Sequence, residues 1–340
     1  MFNNASKMTR RDALKFGAGA GAALLTPGSS RAADSMKYIT PFNFSLSFSP
    51  VLYAIASGLF EKEGLDVEAI NGKGASIALQ LVIAGQGQVA RTGGANYMVA
   101  RVNSGAPLTA IGTIAQTSPF YLVSSPKAPV KTAADMKGKT IGVASLGGSM
   151  EDTLRLMLSN ASVDISGVER VKVADVAASY GLIEAGRIFG YMASISSVIK
   201  ILAAVPQAHA IPIDDGIPGQ IYVATPKALA ENPDHYVKFL RAVHTSALAI
   251  IDAKDKKPIL EALARKFEIP GLQETETALA DLTRNSETWI SKGRENVLRC
   301  IPEHWADAAS ALTNAGILKQ KVEAQSLYDN SFRDKALGRS

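Results

Sequence analysis

One arginine has the residue type and the neighbours that suit anion binding. Arg91 lies near the end of an apolar run, Gln88 to Thr92, directly before the small residues Thr92-Gly93-Gly94-Ala95. The guanidinium group is a planar fork that holds an oxyanion through two hydrogen bonds, and a buried arginine without a partner is unfavourable. Arg91 is therefore predicted either to clamp an anionic ligand or to form an ion pair between loops.

Two glycine-rich segments lead into helical patterns. Gly94 and Asn96 belong to the first, and Gly148 and Ser149 belong to the second, Ser145-Leu146-Gly147-Gly148-Ser149. The free backbone N–H groups and the dipole at a helix start suit a carboxylate or a sulfonate. These residues are predicted to bind ligand on facing walls of a cleft, and the alternative is that both segments are ordinary helix starts capped by their own side chains.

An aromatic loop, Pro41 to Ser49, offers the third wall. Asn43, Phe44 and Ser45 combine a ring with amide and hydroxyl groups, which suits a planar or heteroaromatic solute. The alternative is that Phe42 and Phe48 pack onto the core.

Four further residues complete the predicted ligand site. Lys73 lies in a glycine-rich turn, where lysines usually point to solvent. Tyr191 and Ser194 end a predicted strand opposite the aromatic loop. Asp215 follows Asp214 and is predicted either to bind an amine or to shape a turn.

Residues for catalysis are sparse. The one constellation to test is His209 near Asp214 and Asp215, and neither a Ser nor a Cys occupies a nucleophile elbow. Cys300 is the single cysteine, so no intrachain disulfide is possible, and the four histidines show no metal-ligand spacing. We therefore expect no cofactor, no metal and no enzymatic activity.

Strands and helices alternate along the chain, which predicts parallel-rich α/β sheets flanked by helices. A helix is predicted to be capped by Ser49, to carry Pro50 in its first turn and to end at Gly64. The other predicted segments are strands at 37–40, 66–70, 88–92, 108–115, 139–144, 171–176, 188–193 and 208–213, and helices at 76–84, 96–103, 149–159 and 177–186. From Lys227 onward the pattern is almost entirely helical.

Two apolar, β-prone segments, Phe120 to Ser125 and Gln220 to Thr225, are predicted to be paired crossovers between two lobes. The first lobe then comprises residues 34–122 and 224–340, including the helical tail, and the second comprises residues 123–223. A cleft with a two-strand hinge follows, and such hinges support closure around a ligand.

The N-terminal segment is predicted to be a signal peptide. Arg10 and Arg11 precede an uncharged, Gly-rich stretch, with small residues near Ala32 and Ala33 for cleavage. Paired arginines are typical of the twin-arginine export machinery. Residues 1–33 carry +4 of the net charge of +5, so the remaining chain carries +1 and shows no basic patch for nucleic acid or a membrane. We expect a soluble periplasmic monomer.

Blocks along residues 37 to 255 resemble, in order, the periplasmic substrate-binding proteins of nitrate, sulfonate, taurine and thiamine-precursor transporters. The resemblance rests on Gly58-Leu59-Phe60-Glu61-Lys62-Glu63-Gly64-Leu65-Asp66-Val67, Ile83-Ala84-Gly85-Gln86, Gly105-Ala106-Pro107-Leu108, Ala134-Asp135-Met136-Lys137-Gly138-Lys139-Thr140-Ile141-Gly142-Val143, Glu184-Ala185-Gly186 and Asn232-Pro233. It implies a two-lobed periplasmic binding protein fold of type II, a small-molecule solute, and an ABC permease and ATPase as partners.

The chain departs from this family pattern at two places. Gln88 stands where an Asp is usual, and Ile188-Phe189-Gly190 stands where Val-Asp-Ala is usual. Both changes remove an acidic group, so they leave the ligand open. Two other functions also remain open: a periplasmic sensor that presents its ligand to a membrane receptor, and an enzyme of pyrimidine biosynthesis for thiamine on the same fold.

Overall fold

Two five-stranded sheets, each flanked by helices, form the two lobes of the molecule. The computed structural model describes residues 34–213 and 216–339, and residues 33–340 belong to one compact unit. The predicted signal peptide lies outside the described residues. Among the residues described, no helix is long and apolar enough to cross a membrane.

The first sheet takes four strands from the start of the described chain and one from much later. Its strands are β1 (Asp34–Ile39), β2 (Leu65–Ile70), β3 (Val89–Thr92), β4 (Thr109–Ala115) and β10 (Gln220–Ala224), in the order β2-β1-β3-β10-β4. The helices between them are α1 (Ser49–Ala56), α2 (Leu59–Lys62), α3 (Ala75–Ile83) and α4 (Gly94–Asn103). The predicted alternation is confirmed for this lobe, with strand and helix limits shifted by one to three residues.

The second sheet has the order β7-β6-β8-β5-β9. Its strands are β5 (Phe120–Ser124), β6 (Thr140–Val143), β7 (Glu169–Lys172), β8 (Gly190–Ser194) and β9 (His209–Pro212), and its helices are α5 (Ser149–Asn160), α6 (Tyr180–Glu184) and α7 (Ile195–Ala204). The sequence pattern did not predict α7. It also predicted the third of these strands at 171–176, whereas β7 ends at Lys172 and residues 174–177 form a loop that faces the other lobe.

Each sheet contains one strand that runs antiparallel to both of its neighbours. β10 lies between β3 and β4, and β5 lies between β8 and β9. Both sheets are therefore mixed. Each of these two strands is the first strand after the chain has crossed from the other lobe, and it runs opposite to its neighbours. The two segments predicted to be crossovers form these two strands inside the sheets. The chain passes between the sheets just before each one, at residues 116–119 and, among the described residues, at 216–219.

The remaining helices cover the first sheet and confirm the predicted helical C-terminal region. They are α8 (Pro226–Glu231), α9 (Pro233–Asp252), α10 (Lys257–Lys266), α11 (Thr275–Trp289), α12 (Pro302–Asn314) and α13 (Ser331–Ala336). Phe239 of α9 packs against Tyr38, Phe60 and Tyr222 in the core on one face of the first sheet. Trp305 of α12 packs against Tyr97 in the core that contains Ile39 and Val223 of the same sheet.

The first helix begins and ends differently from the prediction. A short 3₁₀ turn at Leu46–Phe48 runs directly into α1, so Ser49 is the first helical residue rather than its cap. The hydroxyl group of Ser49 is buried and has no hydrogen-bond partner among the described residues. The helix then breaks at Gly58, whose φ of 71° is left-handed, and the chain restarts as α2.

The single cysteine lies in a core rather than at the surface. Cys300 is 0% exposed, and burial raises the pKa of its thiol to about 12. A buried, protonated thiol is a poor nucleophile. We expect no reaction of the native protein with an aromatic disulfide reagent and one reacting thiol after denaturation. Rapid reaction without denaturant would contradict this packing.

Candidate functional site

A cavity of about 710 Å³ lies between the two sheets. Its walls come from the aromatic loop and β3 of the first lobe, from three loops of the second lobe, and from the segment between α10 and α11. Of the predicted ligand residues, the cavity is lined by Asn43, Phe44, Ser45, Lys73, Arg91, Ser149 and Ser194. The structure thus brings together residues from both lobes that lie about 150 positions apart.

Arg91 lies in the cavity wall and is 1% exposed. Nη1 donates a hydrogen bond to the carbonyl oxygen of Ser47, and the guanidinium carbon lies 4.9 Å from the ring centroid of Phe48. Nε has no hydrogen-bond partner within the described part of the chain. Among the described residues no carboxylate lies within ion-pair distance of Arg91, so the predicted inter-loop ion pair is not formed there.

Two phenols lie close to this cation but cannot neutralise it. Tyr222 is the cross-strand neighbour of Arg91, and Tyr38 lies near both. Burial raises the pKa of Tyr222 to about 12 and that of Tyr38 well above its ordinary value. Both groups stay uncharged at neutral pH, because a phenolate buried in an apolar core is unfavourable. Arg91 is therefore a buried cation that faces a cavity.

The aromatic loop serves the cavity and the core at once. Phe44 lines the cavity, and its ring meets that of Phe267 edge to face at 5.3 Å. Phe48 is 5% exposed and stacks on Arg91, while Phe42 packs against the core of the second lobe. The rings of this loop therefore pack inward on one side and line the cavity on the other, and contact of the loop with a solute stays a prediction.

Three of the predicted ligand residues lie in a seam between the lobes and not in the cavity wall. The amide of Gly94 donates to the carbonyl oxygen of Pro218, and Nδ2 of Asn96 donates to that of Gly147 at 2.9 Å. Gly148 precedes α5 and is likewise absent from the cavity lining. None of the three lines the cavity in this arrangement, since Gly94 contacts the segment before β10 and Asn96 contacts the loop before α5, and their role in ligand binding stays a prediction.

Two predicted residues of the second lobe differ in their placement. The Tyr191 side chain points into the core, where its hydroxyl donates to the carbonyl oxygen of Val176 at 3.2 Å, so it does not face the cleft as predicted. Ser194 does line the cavity and precedes α7. Asp214 and Asp215 lie outside the described residues.

Several cavity residues were missed by the sequence analysis. Asp175 lies in the loop after β7, and its Oδ1 accepts a hydrogen bond from the Ser194 amide at 3.1 Å. The unpredicted helix α7 presents its first residues, Ile195 to Ser197, to the cavity. Pro270, Gly271, Glu274 and Asn285 come from the helical C-terminal region. For these residues, the serine-rich start of α7 was the one local signal of a cavity wall in the sequence. The C-terminal residues reach the cavity through long-range packing, which no local pattern predicts.

A buried polar cluster stands behind this wall. Oδ1 of Asp281 accepts hydrogen bonds from Ser196 at 2.7 Å and from Asn285 at 2.6 Å. Burial raises the pKa of Asp281 to about 6. The cluster joins α7 of the second lobe to α11 of the C-terminal region, and both Ser196 and Asn285 line the cavity.

The charged side chains around the cavity are mostly basic. Lys73, Lys172 and Lys200 join Arg91, against Asp175 and Glu274. No histidine or cysteine lines the cavity in the part of the chain that the structure describes. His209 instead contacts the carbonyl oxygen of Val130 at 3.0 Å in the second lobe. Neither do the described residues contain a cluster of side chains able to hold a metal ion. The excess of basic side chains suits anion binding.

Solved structures share this fold across almost the whole chain. A protein from Bordetella bronchiseptica RB50 is 21% identical, with a TM-score of 0.69 and coverage of 89% of this chain and 97% of that one. The alkanesulfonate-binding protein SsuA from Xanthomonas axonopodis pv. citri, bound to MOPS, is 14% identical, with a TM-score of 0.66 and coverage of 87% and 98%.

An enzyme is also among the structural neighbours. The desulfurization enzyme DSZB, in its complex with biphenyl-2-sulfinic acid, is 13% identical, with a TM-score of 0.57 and coverage of 91% and 100%. At these identities the likenesses establish the fold. Among curated proteins, none matches the chain.

The family model described as NMT1/THI5 like matches residues 45–256, which include the second half of the aromatic loop, Arg91 and the whole second lobe. These residues make up more than half of the chain. With its two mixed sheets and the periplasmic-binding-protein fold of its structural neighbours, the chain belongs to the NMT1/THI5-like family.

Proposed function

We propose that this protein is the solute-binding component of an ABC importer, and that it captures a small anionic solute with an aromatic or heteroaromatic body by closing its two lobes. The observation that carries the proposal is Arg91, a cation that is 1% exposed, has no acidic partner among the described residues and lines the cavity. A buried charge is unfavourable unless it is paired. A bound oxyanion supplies the missing partner.

The apolar part of the wall supports an aromatic body for the solute. Phe42, Phe44, Phe48 and Phe120 all line the cavity. A cavity of about 710 Å³ is in the range that encloses molecules larger than a simple inorganic anion. Rings of this kind contact a planar ligand by offset or edge-to-face packing.

The compounds in two structural neighbours share the oxyanion of this description, and one of them shares the aromatic ring, since the morpholine ring of MOPS is saturated. SsuA from Xanthomonas is bound to MOPS, and DSZB is in complex with biphenyl-2-sulfinic acid. Each compound joins a sulfur oxyanion to a ring. An organic sulfonate or sulfinate is therefore a suitable probe for this chain, although carboxylates offer the same two-oxygen contact to Arg91.

The proposal has three further parts: export to the periplasm, docking on a permease powered by an ATPase, and a monomeric state. The paired arginines at the N-terminus and the periplasmic-binding-protein fold support them. A sensor that presents its ligand to a membrane receptor would use the same cavity. A neighbouring permease and ATPase gene favours transport, and a neighbouring histidine kinase favours sensing.

An enzyme is the second candidate, because DSZB has this fold. The cavity wall favours binding over turnover, since the described residues place neither a histidine nor a cysteine in it. Incubation with biphenyl-2-sulfinate or a phosphorylated pyrimidine precursor, followed by product analysis, separates the two. Recovery of the unchanged compound supports a binding protein, and multiple turnovers would support an enzyme.

We expect benzenesulfonate to bind at least about tenfold more tightly than methanesulfonate, because the ring buries apolar area worth about 25 cal/mol per Å². Isothermal titration calorimetry measures both dissociation constants. Benzyl alcohol, which has the ring without the anion, is the matched control and should not bind measurably. Equal affinities for the two sulfonates would remove the aromatic part of the proposal, and failure of both to bind would remove the sulfonate part.

A further inference from the structure

The two lobes contact each other at a seam outside the cavity, where the starts of α4 and α5 meet. The amide of Gly93 donates to Oγ of Ser149 at 3.0 Å. The carbonyl oxygen of Gly147 accepts two hydrogen bonds from the first lobe, from Oγ of Ser76 at 2.7 Å and from Nδ2 of Asn96 at 2.9 Å. Backbone groups of both lobes are therefore satisfied by the opposite lobe.

The approach at this seam is close enough to depend on glycine. A Cβ on Gly93 would lie 2.5 Å from Oγ of Ser149 and 2.6 Å from its Cβ. A Cβ on Gly94 would collide with the carbonyl oxygen of Pro218, to which the Gly94 amide is hydrogen-bonded. The contact between Gly93 and Ser149 forms only when the lobes are together, and separation of the lobes breaks it.

We propose that Ser76 and Asn96 of the first lobe, with Gly147 and Ser149 of the second, form a latch that holds the lobes closed, and that ionisation of the adjacent Asp152 weakens it. The inference rests on the proposed function in one respect, namely that closure serves solute capture. Ser76, Asn96 and Gly147 do not line the cavity, so they act on affinity through the closed state alone.

Asp152 is placed to make the latch sensitive to protons. It lies in the first turn of α5, is 3% exposed, and its Oδ2 has no hydrogen-bond partner among the described residues. The Asn96 side chain of the facing helix lies beside its carboxyl group. Opening of the seam removes α4 from this carboxyl group and admits water to it.

The charged groups around Asp152 belong to its own lobe. Nη1 of Arg155 lies 3.7 Å from Oδ1 of Asp152, and Glu151 is the neighbouring carboxylate. Glu151 is itself paired with Arg170 of β7 at 3.0 Å. From the facing helix the group beside Asp152 is the uncharged amide of Asn96. Opening of the seam therefore changes the solvation of Asp152, while the charged groups near it stay the same.

The direction of the pH effect follows from the burial. In the closed arrangement burial raises the pKa of Asp152 from 3.8 to about 6, and exposure on opening returns it toward 3.8. The closed state thus binds more protons than the open state. The contribution of Asp152 to closure is fully present below about pH 4, is lost as the pH rises through 6, and is absent above about pH 7.

Double electron–electron resonance between spin labels at Glu61→Cys and Asn160→Cys measures lobe separation without any solute. Both positions are exposed, one on each lobe, and the buried Cys300 stays unlabelled. We expect the ratio of closed to open molecules to be about tenfold larger at pH 5 than at pH 7.5. Asp152→Asn should reduce the pH dependence, leaving only what the other buried carboxyl between the lobes, Asp281, contributes, and Asn96→Ala should lower the closed fraction at both pH values.

Ser104→Ala, an exposed change at the end of the same helix, is the matched control and should behave as the wild type. If the fraction of open molecules is too small to be counted, hydrogen exchange of the Gly93 amide measures the same opening, because the hydrogen bond of that amide crosses the seam. A wild-type protein that is entirely open, or closure unaffected by Asn96→Ala, would overturn the latch.

A pH dependence in Asp152→Asn as large as in the wild type would overturn the role of Asp152. Because these measurements use no solute, they stand even if no sulfonate or carboxylate binds. Failure of the latch and failure of the proposed function are therefore distinguishable.

Discussion

Replacing Arg91 with Gln is expected to weaken the binding of benzenesulfonate by at least about 30-fold. Loss of one partner of a buried, charged hydrogen-bonded pair costs about 2 kcal/mol or more, and about 1.4 kcal/mol corresponds to tenfold in affinity. The free energy of unfolding of the solute-free protein should stay unchanged or increase, because the substitution removes a buried cation that lacks a carboxylate partner among the described residues. Calorimetric titration and chemical denaturation measure the two quantities.

Lys73→Ala is the matched control for charge. Lys73 also lines the cavity but is exposed, so its loss should change affinity by less than about fivefold, since exposed ion pairs are worth about 1 kcal/mol or less. A structural role for Arg91 would give the opposite pattern, with marked loss of stability and unchanged affinity in Arg91→Gln. That pattern would contradict the clamp.

Gly219→Ala is expected to destabilise the protein by about 1–3 kcal/mol or to splay its lobes. Gly219 precedes β10 in one of the two segments that connect the lobes, and its amide donates to the carbonyl oxygen of Ala115 at 2.9 Å. A Cβ there would collide with the backbone of Thr117 in the other connecting segment, 2.6 Å from its carbonyl carbon and closer to its oxygen. Backbone cannot rotate away as a side chain can, so the two segments must separate.

Gly181→Ala is the control for the added methyl group. Gly181 lies in α6, and a Cβ there meets nothing within 4 Å. Because alanine favours a helix over glycine by up to about 1 kcal/mol, this variant should be as stable as the wild type or more stable. Urea denaturation gives the stability, and small-angle scattering gives the lobe separation. Two variants with equal stability and equal radius of gyration would show that the connecting segments are not closely packed.

The sequence predicted most of the first lobe because its signals are local. Pro50, Gly64 and the alternation of apolar residues place α1, β2 and β3 without reference to the rest of the chain. The antiparallel direction of β5 and β10 had no such signal. It follows from the path of the chain between lobes, and an apolar, β-prone run looks the same in either direction.

The candidate site was predicted in part for the same reason. Arg91 and the aromatic loop were predicted from residue type and position, and the cavity wall includes them. Gly94 and Asn96 were assigned to the ligand because a helix start binds anions, but the amide of Gly94 donates to the carbonyl oxygen of Pro218, and the side chain of Asn96 donates to that of Gly147 in the other lobe. Asn285 lies about 190 residues from Arg91, and no local pattern predicts that both line one cavity.

The claim that Arg91 holds an anion in the cavity is tested most directly by native mass spectrometry. Wild type and Arg91→Gln are incubated in parallel with benzenesulfonate, biphenyl-2-sulfinate, MOPS and aromatic carboxylates. We predict one-to-one adducts of at least one of these anions on the wild type and none on Arg91→Gln. No adduct on the wild type, or equal adducts on both proteins, would contradict the account.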